Sequence, residues 1–215
     1  MKVKYKEVDI ENWKRKEHYS VYRTALKCGF SLTIKLEIAP VIQFIKAKNY
    51  KLYPVMIYLI AKAVNTHAEF KMAKKGEKLI VWDRVDPVFT ILHPETETFS
   101  ALSTAYDDDL TVFLAQYNEI YKAYEHDLSF SPAPMPENHF NISALPWVNF
   151  EAFNLNIADF TDYFPPSFTL GKYQKVGEEV FIPLAIQVHH AVCDGIHVGK
   201  LIDTLQMACN AINNE

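Results

Sequence analysis

From Glu179 the chain runs Glu-Val-Phe-Ile-Pro-Leu-Ala-Ile-Gln-Val, with Val180, Ile182, Leu184, Ile186 and Val188 on one parity. That period predicts a strand turning this set of side chains toward a core. Carried two residues further, the parity points His190 inward and His189 to the other side. Leu79 to Trp82, Phe89 to Leu92 and Phe99 to Ser103 also read as strands. Other stretches carry the helical period. Tyr53-Pro54-Val55 opens an apolar run to Val64, with proline suited to a first helical turn. Asp107-Asp108-Asp109 puts negative charge before Leu110 to Tyr124, as a helix N-terminus favours. Val198, Leu201, Ile202, Leu205, Ala208, Cys209 and Ile212 recur near every 3.6 residues. Lys175 to Glu179 predicts a turn into the long strand. Strands and helices mix without strict alternation, and no linker or repeat divides the chain. The expectation is one α/β domain over residues 1–215, a mixed β-sheet covered by helices.

Composition narrows the function classes. With 215 residues and 49% hydrophobic content, the chain can bury a sizeable core. A net charge of -4 gives no electrostatic reason to expect nucleic acid or an anionic membrane as partner. Cys28, Cys193 and Cys209 are odd in number and lack metal-site or disulfide-framework spacing, which predicts a reducing compartment. Met1 to Lys6 precedes no apolar stretch, so no signal peptide is expected. The longest apolar run, Val55 to Ala61, ends at Lys62 and is too short for a bilayer. The expected location is the cytoplasm.

Behind the long strand stands His189-His190-Ala191-Val192-Cys193-Asp194-Gly195. A histidine entering an apolar interior loses solvation of its charged form and stays neutral, which suits a general base. Alone, a His-x-x-x-Asp element more often marks a buried imidazole and a helix-capping aspartate. His189, Cys193 and His197 do not predict a metal site, because the parity separates the two adjacent histidines and no second ligand group has the spacing. Cys193 reads as a small buried filler. Gly195 is expected to relieve backbone crowding where strand gives way to helix. Ser143 lies in Asn141-Ile142-Ser143-Ala144-Leu145, without the Gly-x-Ser-x-Gly elbow of a nucleophilic serine.

Three segments together carry a resemblance: His189 to Val198; Asn141-Ile142-Ser143-Ala144-Leu145-Pro146-Trp147-Val148-Asn149-Phe150; and Asn12-Trp13-Lys14-Arg15-Lys16-Glu17-His18 followed by Cys28-Gly29-Phe30-Ser31-Leu32-Thr33. In that arrangement, and over nearly its whole length, the chain resembles the chloramphenicol acetyltransferases. The resemblance implies a two-layer sandwich of the coenzyme A-dependent acyltransferase type, assembled as a homotrimer with active sites at subunit interfaces. It implies acetyl transfer from acetyl-CoA, a co-substrate and not a permanently bound cofactor, to the 3-hydroxyl of chloramphenicol. His190 would be the general base in a ternary complex and Ser143 the oxyanion donor. Asp194 would be structural, paired with Arg15. The positions matching the antibiotic pocket are Tyr22, Leu26, Cys28, Phe30, Phe99, Phe130, Phe153, Leu155 and Thr169. Those matching the CoA site are Trp147, Tyr173, Lys51 and Lys172. Ser167 and Val88 depart from relatives and bear on affinity. Two other readings stay open: an acyltransferase core of the 2-oxo acid dehydrogenase type, which shares the His-x-x-x-Asp-Gly element, and a hydrophobic-ligand binding protein without turnover.

Overall fold

The computed structural model describes residues 3–215. Its main sheet has the order β2 (Gly29–Glu37), β10 (Glu179–His189), β8 (Ser167–Leu170), β7 (His139–Ala144), β5 (Asp86–His93), β6 (Thr98–Ser103), with β9 (Gln174–Val176) paired to β10. β10 is the predicted long strand. It runs antiparallel to β2 from Phe181↔Glu37 to His189↔Gly29, and antiparallel to β8. The β5–β7 and β7–β8 pairs are parallel, so the sheet is mixed. Gly177, at φ 65°, makes the predicted turn between β9 and β10. A smaller sheet joins β1 (Tyr5–Glu7), β4 (Lys78–Trp82) and β3 (Met72–Lys75).

Val180, Ile182, Leu184, Ile186 and Val188 are all buried, together with Phe168, Leu170, Phe140, Ile142 and Phe89 from neighbouring strands. Helices cover this apolar layer: α2 (Ala39–Lys48) packs on β10, α3 (Leu52–Thr66) on β5, α4 (Leu110–Tyr124) on β6, and α5 (Gly195–Asn210) on β2. Helix α3 is buried at every position from Pro54 to Ala61, matching its unbroken apolar run. Asp109 starts α4 by accepting the N–H groups of Thr111 at 2.7 Å and Val112 at 3.2 Å. The acidic run thus acts mainly through one N-cap residue.

Cross-strand partners share a face. Gln187 pairs with Ser31 and Ser167, and Ser167 with Asn141; Ala185 pairs with Thr33 and Thr169, and Thr169 with Ser143. The side of the sheet away from the helices is therefore lined by small polar groups. An irregular segment from Leu145 to Pro166 crosses it. Its backbone is tied down where Phe153 N–H donates to Thr33 Oγ1 at 3.3 Å and Leu155 N–H to Gln187 Oε1 at 2.9 Å.

Candidate active site

The strand β10 ends at His189, one residue earlier than the alternation implied. The chain turns at once: the N–H groups of Val192 and Cys193 both donate to the His189 carbonyl, at 3.2 and 3.1 Å. Parity therefore does not carry over to His190. His189 is the buried imidazole, 1% exposed. Its Nδ1 accepts the Ala191 N–H at 3.0 Å, and its ring stacks on Phe160 with centroids 4.8 Å apart. Burial pushes its pKa down to about 4, so it is neutral at pH 7. Gly29, its partner across the ladder, leaves room for that stack, since a Cβ there would overlap the Phe160 ring. Gly195 is different. A Cβ there meets nothing within 4 Å, so the backbone does not require glycine at this position.

His190 lies in the turn with 27% of its side chain exposed. Tyr22 stacks on it, with centroids 3.8 Å apart and planes 9° apart, and Phe30 meets it edge-on at 5.0 Å. Tyr22 comes from a π-helical turn, Val21–Ala25, that follows α1 (Lys16–Ser20). Nδ1 of His190 is 3.0 Å from Asp194 Oδ1, yet outside hydrogen-bonding geometry. The carboxylate's other oxygen accepts from Arg15. The second terminal nitrogen of Arg15 donates to the His190 carbonyl at 3.1 Å. One guanidinium thus fastens both ends of the His190–Asp194 turn, and Cys28 completes the frame by accepting the His190 N–H at 3.1 Å. Arg15, Tyr22, Cys28, Phe30, His190 and Asp194 are one constellation. Leu26, 58% exposed, stands outside these contacts. The Cys193 thiol, inside the turn, is buried, and its pKa is pushed up to about 12. It is inert as a nucleophile.

A second constellation sits elsewhere on the sheet. Ser143, near the end of β7, meets Thr169 Oγ1 at 3.1 Å. Trp147 and Tyr173, both largely exposed, lie on segments held together where Lys172 N–H donates to the Val148 carbonyl at 2.8 Å. Lys51 precedes α3 and rests 5.6 Å from the Tyr121 ring. The first turn of α3 reaches the same end of β7 through Tyr53, whose hydroxyl is 3.5 Å from the Ile142 carbonyl. Phe99 and Phe130, also exposed, pack edge-on at 5.7 Å along β6.

The two constellations do not meet. Ser143 pairs with Thr169 and Thr169 with Ala185, and His190 lies five residues beyond Ala185. At about 3.3 Å per residue and about 4.8 Å per strand spacing, Ser143 and His190 are separated by some 15 Å or more. Phe30 and Phe99 occupy opposite edges of the sheet, about 24 Å apart by the same spacing.

Sequence reasoning missed a groove beside the first constellation. Gly29, Phe30, Ser31, Asn154, Leu155, Asn156, Ile157, Phe160 and Gln187 enclose about 280 Å³. Only Phe30 and Leu155 were anticipated there. Asn154 and Asn156 sit in an irregular segment with no periodicity, whereas Gln187, the one amide in the apolar strand, was a visible signal. Phe153 precedes Asn154 in the chain and packs on Phe150 with ring centroids 5.7 Å apart. Among the described residues, no group of three or more His, Cys, Asp or Glu side chains is placed to hold a metal ion. Nor is any helix among them long and apolar enough to cross a membrane.

Comparison with known proteins connects this geometry to a family. The family model "Chloramphenicol acetyltransferase" matches residues 3–206. Chloramphenicol acetyltransferase 3 of Escherichia coli is 53% identical over 208 residues, spanning 96% of this chain and 98% of that protein. A solved chloramphenicol acetyltransferase superposes with a TM-score of 0.85 over 95% of this chain and 99% of the other, at 21% identity. The dihydrolipoamide acetyltransferase of Azotobacter vinelandii shares the fold with a TM-score of 0.68, at 15% identity, over 87% of this chain and 83% of that one. Covered almost end to end by the family model and by a relative of this identity, the chain belongs to the chloramphenicol acetyltransferase family.

Proposed function

We propose that this enzyme transfers the acetyl group of acetyl-CoA to the 3-hydroxyl of chloramphenicol, inactivating the antibiotic. One observation carries the mechanism: a partly exposed His190, framed by Tyr22 and Phe30 on a turn that Arg15 and Asp194 lock, in a chain 53% identical to a chloramphenicol acetyltransferase. Nδ1 of His190 lies against Asp194, which leaves Nε2 to act. It takes the hydroxyl proton as the oxygen attacks the thioester carbonyl. The Ser143 hydroxyl donates to the oxyanion that forms, an interaction typically worth on the order of 10²–10³ in rate. Collapse breaks the C–S bond, and the proton held by His190 passes to the departing CoA thiolate. No acyl-enzyme is formed. Asp194 works through Arg15, as a positioning group.

The reading includes assembly. A homotrimer in which His190 of one subunit faces Ser143 of the next would reunite the two separated constellations. Their distance within one chain supports this, as does the exposure of Trp147, Phe99, Phe130 and Leu155. Chloramphenicol would occupy the aromatic surfaces of Tyr22, Phe30, Phe99, Phe130 and Phe153 with Leu26, Cys28, Leu155 and Thr169. CoA would follow Trp147 and Tyr173, with Lys51 and Lys172 meeting phosphates. Acetyl-CoA enters and leaves as a co-substrate, and a cytoplasmic site of action fits the three unpaired cysteines.

Measuring release of the CoA thiol against varied chloramphenicol, with the acetylated product identified by mass, tests the function. We expect saturable, antibiotic-dependent release, reduced by orders of magnitude in His190→Ala with the fold retained. No chloramphenicol-dependent release would overturn the proposal, and undiminished turnover in His190→Ala would remove His190 from it.

A further inference from the structure

The turn bearing His190 is held from a second side. His197 is the third residue of α5, and its Nδ1 accepts the backbone N–H of Asp194 at 2.9 Å. The backbone N–H of His197 donates to the Asp194 carbonyl at 3.0 Å. An imidazole here takes the place that Glu or Gln usually fills in a capping box. A ring nitrogen accepts only while it carries no proton, so the hydrogen of neutral His197 sits on Nε2. That nitrogen faces Glu69 Oε1 at 3.7 Å. From these contacts we infer that His197 is a positioning residue for acetyl transfer: its neutral ring, by accepting the Asp194 N–H, fixes the turn that presents His190. The inference rests on His190 being the base.

Charged and titratable groups reach His197 from every side. They are Glu69 from the short 3-10 turn after α3, Arg15 from the start of α1, Lys200 and Asp194 from its own helix and cap, and His67 at the end of α3. Burial holds the ring below the ordinary imidazole range; Glu69 opposes this, while Arg15 and Lys200 add to it. Protonation would set one N–H donor against another at the cap and release the turn. Protonation of His197 is therefore expected to lower turnover in acid.

The parent, His197→Gln and His197→Phe are compared for kcat and for KM of both substrates across pH. Glutamine keeps an acceptor at the cap and does not titrate. We expect His197→Phe to lose kcat by roughly 100-fold, as for a misplaced catalytic group, with both KM values little changed. His197→Gln should recover most of that loss. On the acid limb, log kcat of the parent should fall more steeply than that of His197→Gln, by about one unit of slope, because the variant lacks one essential protonation. A His197→Phe enzyme as fast as the parent, or a His197→Gln enzyme as slow as His197→Phe, overturns the inference. Should His197→Phe not fold, the slopes decide: equal slopes in parent and His197→Gln overturn it, and a lost second protonation supports it. A parent with no chloramphenicol-dependent CoA release defeats the functional reading and this inference together, a result distinct from any difference among the variants.

Discussion

Two adjacent imidazoles, His189 and His190, end with opposite solvation because the chain turns between them. His189 is sealed under Phe160 and Phe164. The segment bearing those rings is clamped where Arg23 makes two bonds to Asp162, of 2.5 and 2.9 Å. With its pKa at about 4 in the fold and near 6.5 when free, His189 has a predictable effect on stability. As pH falls, the unfolded chain takes up the proton first. The stabilisation is complete above about pH 6.5 and is lost as pH drops toward about 4. By pH 5 the loss amounts to roughly 2 kcal/mol. Urea unfolding at pH 7.5 and pH 5 should therefore show a larger drop in the parent than in His189→Phe, which keeps a ring and cannot titrate. Equal drops would show that His189 is not held neutral.

Arg15 joins elements far apart in sequence, linking the start of α1 to the entrance of α5 through Asp194 and the His190 carbonyl. Both side chains are largely shielded, at 13% and 29% exposure. Removing one partner strands the other's charge, and at this exposure we expect Arg15→Ala or Asp194→Asn to destabilise by about 3 kcal/mol. The double mutant should lose much less than the sum, because both changes break one pair. Additive losses in chemical denaturation would dismiss the coupling. Elements of this kind differ in how far a sequence displays them. The long β10, the buried α3, the Asp109-capped α4 and the α5 stripe each repeat one local period, and each was readable. Strands β1, β2, β3, β7, β8 and β9 with helix α2 were not marked out. Several are short, and β7 pairs only with parallel neighbours, β5 and β8, both supplied by distant chain. The π-helical turn carrying Tyr22 and the irregular Leu145–Pro166 segment have no period to read, since side-chain ties such as Leu155 to Gln187 shape them. Periodicity also misjudged His190, because it does not show where a strand stops. The motif and the matching segments, not the strand pattern, singled out that residue.

In the whole molecule the decisive quantity is the separation of Ser143 and His190 within one chain. Symmetric assembly solves such a problem when a head-to-tail interface closes into a ring, each site taking one half from each of two neighbours. Chains carrying His190→Ala and chains carrying Ser143→Ala should each be slower by orders of magnitude. Co-expressed in equal amounts, they should form rings in which some sites pair an intact His190 with an intact Ser143. Random mixing gives that pairing in about one quarter of sites, whatever the number of subunits in a head-to-tail ring. Activity should therefore recover to about a quarter of the parent's, far above either variant alone. Sites built within single chains would give no recovery, because every chain then lacks one group. Light scattering on the active mixture supplies the subunit number independently, and we expect the mass of three chains. An active monomer, or proven mixed assemblies that stay inactive, would end the shared-site model while leaving the family and the reaction in place.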